Sequence, residues 1–155
     1  MKEIGLPRAV LFAAFCAGLG LRHFSAEELL FMGESHSNPE HPAFGLNSLP
    51  SPELWSNIVP TIMVADRLRE ASGGPLTILS AYRSPDYNEA IDGAKQSQHV
   101  KFAALDVRSS VWTPAQCFDW LRKDRAAGGF VGGLGAYETF THIDCRGTNA
   151  TWGKS

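Results

Sequence analysis

Apolar residues recur at helical spacing in the first half of the chain, whereas the second half is organised in short apolar runs. Residues 9–21 carry no charge and predict a buried helix that ends at Gly18 and Gly20, because glycines commonly close helices. A second helix is predicted to begin after Ser25, which forms a capping box with Glu28.

The N-terminal segment also fits a second interpretation, the apolar region of a signal peptide. It follows Lys2 and Arg8 and has the length of such a region, but it is shorter than the about 20 apolar residues that span a bilayer. Glu3, together with the lack of a small-x-small cleavage site nearby, favours the helix. We therefore expect an N-terminal helical segment over residues 1–23 and one domain over residues 24–155.

Residues 32–49 are rich in Gly, Ser, Asn and Pro and predict a long surface loop. Its histidines, His36 and His41, show no spacing that would fix a metal geometry, so we interpret them as surface residues. Ser51-Pro52-Glu53 then predicts a helix start, with a cap, a proline at the first helical position and an acidic first turn.

The apolar residues after this start recur at helical spacing and are expected to face the core. They are Leu54, Ile58, Ile62, Ala65 and Leu68. Pro60 interrupts the run and predicts a kink or two abutting helices.

The second half predicts short strands with helices between them. Strands are expected at 76–79, 103–107, 134–137 and 141–145, the last two as a closing hairpin, and helices at 84–90 and after the Thr113–Gln116 capping box. Because helices come first and mixed short elements follow, we predict an α+β fold with a small, mainly antiparallel sheet and flanking helices.

Composition narrows the classes of protein. The chain has 155 residues, 44% hydrophobic and 19% charged, with a net charge of -2, which suits one globular domain. This near-neutral net charge gives no excess of basic residues that would indicate binding to nucleic acid or anionic lipid. The three cysteines, Cys16, Cys117 and Cys145, lack CxxC spacing and are interpreted as separate thiols, with one pairing among them left open.

His99 and Asp106 are the first candidate metal ligands, seven residues apart where a loop leads into a predicted strand. Such a pair by itself is more often structural. His142 favours a metal site over this structural role, because it supplies a second imidazole on a predicted strand. Period-two geometry places His142 and Asp144 on one strand face and Ile143 on the other. Two imidazoles and a carboxylate are ligands that zinc accepts, with one position left open for water.

Hydrolysis at such a site needs an acid residue that takes a proton from water and returns it to the leaving amine. Asp144 and Glu138 are the candidates, since Asp144 shares the face of His142 and Glu138 lies four residues before it. Each also fits a simpler role: Asp144 as a partner that orients the imidazole, and Glu138 as a solvated turn residue.

Arg83 is a candidate anchor for a substrate carboxylate, because a guanidinium binds a carboxylate through two parallel hydrogen bonds. The alternative is a surface salt bridge with Asp86. The tryptophans are scattered and are expected to pack in the core or at its rim; they are Trp55, Trp112, Trp120 and Trp152.

These candidates lie in three short motifs: S-A-Y-R-S-P-D-Y-N at 80–88, S-Q-H-(x6)-D at 97–106, and F-T-H-I-D at 140–144 with Arg146, Gly147 and Trp152 after it. The motifs resemble those of the zinc D-Ala-D-Ala carboxypeptidase-like murein peptidases, an M15-type family. The helix start at 24–30 also resembles the opening of phage-type members. The combination is more specific than any single motif.

The resemblance implies a hedgehog- or D,D-peptidase-like fold in which the two histidines and Asp106 bind zinc and Arg83, Ser97 and Gln98 contact the substrate. It implies hydrolysis of peptidoglycan stem-peptide amide bonds, as a D,D-carboxypeptidase or an endopeptidase. We expect a monomer without a membrane span. It would act in the cell envelope or periplasm, or as a phage-encoded, endolysin-like enzyme released to the cell wall.

Two positions depart from the family pattern. Phe102 stands where many members have glycine, three residues after the first ligand, and is expected to narrow the pocket. Thr139 stands where some relatives have an acid, which leaves Asp144 ahead of Glu138 as the base. Two other functions stay open: a non-catalytic, zinc-stabilised cell-wall-binding module and a structural component of a phage.

Overall fold

Helices occupy most of the first half of the chain, as the periodicity predicts. A computed structural model of the chain describes residues 7–153, so the outermost residues of both predicted segments, 1–6 and 154–155, lie outside the described residues. Helix α1 spans Arg8–Ala17 and α2 spans Ala26–Leu29. Ser25 and Glu28 form the predicted capping box at the start of α2.

The predicted interruption at Pro60 takes the form of two abutting helices. A 3₁₀ helix, Pro52–Ile58, runs directly into α3, Val59–Ser72. Pro60 lies in the first turn of α3, where backbone N–H groups have no partner within the helix, so a proline costs no helical hydrogen bond there. Ser51 precedes the 3₁₀ helix, but its side chain makes no capping hydrogen bond. The long loop before it contains one short 3₁₀ turn, Ser35–Ser37.

Two further helices and five strands form the second half. Helix α4 spans Pro85–Ala90 and α5 spans Pro114–Ala126. The strands are β1 Leu76–Ser80, β2 Ala104–Ser109, β3 Gly133–Ala136, β4 Thr141–Asp144 and β5 Ala150–Gly153. Ser84 and Thr113 cap the two helices through their side-chain oxygens, as expected of short hydroxyl side chains at this position.

The strands form one sheet in the order β1-β2-β4-β3-β5. Three of the four strand pairs are antiparallel, and only β3 and β5 run parallel. The predicted α+β fold with a mainly antiparallel sheet is therefore confirmed. The sequence did not predict β5, because its four residues carry only half-buried and exposed side chains and lack a buried apolar alternation.

The core lies between the sheet and the helices. Ile143 on β4 opposes Leu105 on β2 and Leu134 on β3, and all three are fully buried. Helices α3 and α5 pack against these strands. Burial of each such side chain contributes about 1.5–3 kcal/mol relative to exposure. Because Ile143 takes the core face, its neighbours His142 and Asp144 take the opposite face, as the strand period predicts.

An aromatic cluster joins α1 to the loop that carries His99. The Phe12 ring lies 5.2 Å from the Trp55 ring and 5.9 Å from the Phe102 ring, between centroids. Phe102 is fully buried and also packs against Tyr82. The expectation that Phe102 narrows the pocket is therefore wrong. Its backbone has a φ of 55°, a conformation that favours glycine, and core packing offsets this strain.

Two further observations concern the whole described chain. None of the helices within residues 7–153 has the length and apolar character that crossing a membrane requires. Cys16, Cys117 and Cys145 are all free thiols, in agreement with the interpretation of the spacing.

Candidate metal centre

One row of residues crosses all five strands of the sheet. Ser80 opposes Asp106, and Asp106 opposes His142. His142 then opposes Gly135, which opposes Trp152 on the edge strand. Residues directly opposed on neighbouring strands share one face, so this register brings a carboxylate beside an imidazole. We refer to these five residues as the site row.

His99 joins the site row from the turns that precede β2. Its Nε2 lies 3.2 Å from Asp106 Oδ1, and its Nδ1 lies 2.7 Å from the carbonyl oxygen of Ala81. His142 places its Nδ1 2.9 Å from the same Asp106 oxygen. The ligand atoms of the two histidines and Asp106 all lie within 4.8 Å of one another. The structure thus brings together the three residues that the spacing singled out.

The second nitrogen of His142 is held by Asp144. His142 Nε2 lies 2.8 Å from Asp144 Oδ2. Asp144 is fully buried, and its carboxylate also accepts hydrogen bonds from the Arg146 guanidinium at 2.9 and 2.7 Å and from the Gly133 N–H at 3.0 Å. A carboxylate that is hydrogen-bonded to one imidazole nitrogen fixes the ring orientation and leaves the other nitrogen to face a metal.

Burial and charge set the protonation of the cluster. Burial lowers the pKa of His99, which favours the neutral imidazole that binds metals. Burial alone would raise the pKa of Asp106, but charge and hydrogen bonds from both histidines outweigh it and keep the pKa well below its usual range. For His142, burial acts to lower the pKa, and hydrogen bonds to Asp106 and Asp144 outweigh it and raise the pKa.

The donor set fits a zinc ion. Two imidazole nitrogens and one carboxylate oxygen converge, and each residue is at most 7% exposed. Catalytic zinc sites have three protein ligands of these types and keep one position for water. The three residues also line an open pocket of about 480 Å³, so a molecule from solvent reaches them.

Arg83 lies beside the cluster. Its Nε donates to Ser80 Oγ at 3.0 Å and its Nη1 to Asn88 Oδ1 at 3.3 Å. Its Nη2 forms an ion pair with Asp106 Oδ2 at 3.1 Å, so the partner of Arg83 is Asp106 and not Asp86. The side chain is 15% exposed and lines the pocket. Three side chains therefore hold its guanidinium, and part of it faces the pocket.

Asn47 holds the backbone on both sides of Arg83. Its Nδ2 donates to the carbonyl oxygen of Tyr82 at 3.0 Å, and its Oδ1 accepts from the Ser84 N–H at 2.8 Å. The same Nδ2 also donates to Met32 O at 2.8 Å. Asn47 lies in the long loop, and no spacing in the sequence distinguishes it from other loop asparagines.

The predicted substrate contacts lie around the same pocket. Ser97 and Gln98 line it together with Arg83, and Ser97 Oγ accepts a hydrogen bond from the His99 N–H at 3.2 Å. The opposite wall was not assigned from sequence; it contains Tyr137, Phe140, Arg146 and Trp152. Trp152, expected in the core or at its rim, lies 5.0 Å from the His142 ring, between centroids.

The remaining candidates lie elsewhere. Glu138 is exposed and lines a neighbouring groove, which shares Tyr137 and Trp152 with the pocket. His36 and His41 each accept a backbone hydrogen bond through Nδ1, from Asn47 and Ala43 respectively. These two histidines organise the long loop and are not part of the metal cluster.

The buried His–Asp–His cluster, which lines an open pocket, has the donor set that metallohydrolase sites use. The chain matches the family model described as Peptidase M15 over residues 23–144, and it belongs to this family. Membership implies a hydrolase of peptide bonds, and peptidases of this family are usually zinc dependent. No curated protein matches the chain at significant similarity.

Proposed function

We propose that the protein is a zinc-dependent peptidase that hydrolyses amide bonds in peptidoglycan stem peptides, as a D,D-carboxypeptidase or an endopeptidase. One observation carries the proposal: two imidazoles converge on a single oxygen of Asp106, while their other nitrogens are held by Ala81 O and Asp144. Both rings are thereby oriented toward a common point.

In this proposal His99, His142 and Asp106 would hold the zinc ion, through His99 Nε2, His142 Nδ1 and the Asp106 carboxylate. When bound, zinc polarises a carbonyl group and lowers the pKa of water, which supplies a nucleophile at neutral pH. The protein provides the orientation. The Ala81 carbonyl oxygen and the Asp144 carboxylate each accept a hydrogen bond from one imidazole and keep it in one rotamer, so little rearrangement accompanies metal binding.

Arg83 is proposed to bind the substrate carboxylate. Its three hydrogen bonds to Ser80, Asn88 and Asp106 fix the guanidinium beside the ligands. A fixed cation within the pocket favours substrates that end in a carboxylate near the scissile bond. Ser97 and Gln98 line the pocket on the same side, and we propose that they contact the peptide.

The two acids are proposed to have different roles. Asp144 is fully buried and engaged with Arg146, Gly133 and His142, so we propose that it acts through His142 as a positioning residue. Glu138 is exposed, follows the pocket residue Tyr137 in the chain and lines the groove next to the pocket. We propose that Glu138 takes the proton from water and passes it to the leaving amine.

The test combines zinc content with the release of soluble peptides from murein sacculi, with and without a chelator. We expect one zinc per chain, chelator-sensitive release, and recovery when zinc is restored. Protein purified without chelator that contains no zinc, and gains no activity when zinc is added, would contradict the proposal. The released fragments distinguish the two bond types, because a carboxypeptidase releases a single terminal amino acid.

A second candidate is a zinc-stabilised module that binds the cell wall without cleaving it. The observation that favours it is the position of Glu138, which lines the neighbouring groove and not the pocket. Stoichiometric zinc and sedimentation with sacculi, without any released peptide, would support this candidate over the peptidase.

A further inference from the structure

Tyr137 lies on the pocket wall opposite the predicted substrate contacts. It follows directly after β3, lines the same pocket as the two histidines and Asp106, and is 43% exposed. Its phenol group is a hydrogen-bond donor on a wall that otherwise presents aromatic rings and the Arg146 side chain.

Neighbouring contacts fix the ring of Tyr137. It stacks on Phe140 with the ring centroids 4.4 Å apart and the planes 9° from parallel. The Tyr137 N–H donates to the Phe140 carbonyl at 3.2 Å, which closes the turn between β3 and β4. The ring is therefore held by the hairpin itself, and its orientation does not depend on a substrate.

Trp152 leaves the phenol proton free for another acceptor. The indole Nε1 of Trp152 lies 2.9 Å from Tyr137 Oη. An indole nitrogen only donates, so the phenol oxygen is the acceptor in this hydrogen bond. The O–H of Tyr137 is consequently available to donate into the pocket.

Gly135 places these aromatic residues beside the metal centre. A Cβ atom at Gly135 would lie 2.6 Å from Trp152 Nε1 and 2.8 Å from Tyr137 Cε2, so both side chains lie over its bare backbone. Gly135 opposes His142 across the strands. The Tyr137 ring therefore lies over the β3 backbone at Gly135, beside the proposed ligand His142.

We propose that Tyr137 is a further catalytic residue, whose O–H donates a hydrogen bond to the oxygen of the scissile carbonyl as that oxygen gains negative charge. The inference rests on the proposed function. In the reaction, water adds to the carbonyl carbon, the C–N bond breaks, and a proton from water passes to the leaving amine. Tyr137 keeps its proton throughout. Removal of one such donor typically lowers kcat by about 10²–10³-fold.

Tyr137→Phe tests the inference, because it removes only the hydroxyl and keeps the stacking on Phe140. We expect kcat on a stem-peptide substrate to fall by about 10²-fold or more, with KM and zinc content near those of the unchanged protein. Tyr82→Phe is the matched control, since the Tyr82 ring packs against Phe102 and is not part of the pocket wall. It should leave kcat unchanged.

Binding of a phosphinate peptide, measured by calorimetry, gives a second readout that does not depend on turnover. A phosphinate carries a tetrahedral, negatively charged group where the substrate has its carbonyl. Tyr137→Phe should weaken its binding about tenfold or more and leave the affinity for the product peptide unchanged.

An unchanged kcat and phosphinate affinity in Tyr137→Phe would overturn the inference and leave the proposed function intact. A loss of activity that comes only from KM or from zinc content would also overturn it, because it would show a binding or structural role. Zinc-loaded wild-type protein that releases no peptide would instead refute the proposed function.

Discussion

The two sides of the pocket are built in different ways. On the ligand side, the two histidines and Asp106 are at most 7% exposed, and each imidazole has both nitrogens engaged. On the aromatic side, the 43% exposed Tyr137 is held by ring stacking and one hydrogen bond from Trp152. The first arrangement holds the cluster through hydrogen bonds on both sides of each imidazole, whereas the second leaves a donor free for a substrate.

The two sides also depend on different contacts along the chain. The turn that carries His99 is tied to the neighbouring motif by hydrogen bonds with the backbone of Ala81 and Arg83. The aromatic side depends on the register of β3, β4 and β5, which sets Gly135 between His142 and Trp152. Substitutions on the ligand side should therefore change metal binding, and substitutions on the aromatic side should change turnover.

Asp106→Ala should have the largest effect. It removes a proposed ligand and leaves the half-buried Arg83 guanidinium without its ion-pair partner, and breaking such a pair costs up to about 3–5 kcal/mol when it is buried. We expect loss of zinc, loss of peptide release and a lower unfolding midpoint, measured by metal analysis, cleavage assay and thermal denaturation. Asp86→Ala, an exposed carboxylate on α4, is the control and should behave like the unchanged protein.

The pair Asp144→Asn and Glu138→Gln separates orientation of a ligand from proton transfer. Asp144→Asn replaces an acceptor of the His142 and Arg146 hydrogen bonds, so zinc affinity should fall about 10–100-fold. Glu138→Gln should leave zinc affinity unchanged and abolish turnover. Competition with a chelating dye measures the first effect. Full activity of Glu138→Gln would exclude Glu138 as the base.

Asn47→Ala tests how Arg83 is positioned. It removes the hydrogen bonds to Tyr82 O and to the Ser84 N–H and should cost about 1–3 kcal/mol of stability. KM should rise for a peptide with a free terminal carboxylate and change less for the amidated peptide. Asn38→Ala, in the same loop, loses only a local hydrogen bond to Glu40 and is the control. An equal rise in KM for both peptides would argue against a role through Arg83.

Phe102→Gly should have the smallest effect on activity. The change removes a buried ring, which lowers the free energy of unfolding by about 3–5 kcal/mol. It also relieves the strain of the positive φ, which raises the free energy of unfolding by about 1–3 kcal/mol. The unfolding midpoint should therefore fall modestly, while kcat and zinc content stay the same. A change in substrate preference at constant stability would contradict the placement of Phe102 in the core.

Much of the fold was predictable because it is encoded locally. The capping boxes at Ser25 and Thr113 and the proline in the first turn of α3 are interactions between residues a few positions apart. Strand β5 was missed because four residues without a buried apolar alternation carry no strand pattern of their own. It forms because its backbone pairs with β3.

The sequence by itself indicated most of the helices, the hairpin, and the candidate ligands His99, Asp106 and His142, through local caps, the strand period and the motifs that contain these residues. The tertiary structure decided that Phe102 faces the core, that Asp144 is engaged behind His142, and that Tyr137 and Trp152 line the pocket. The physical reason is register: strands far apart in the chain align their side chains into one row only when the sheet is assembled.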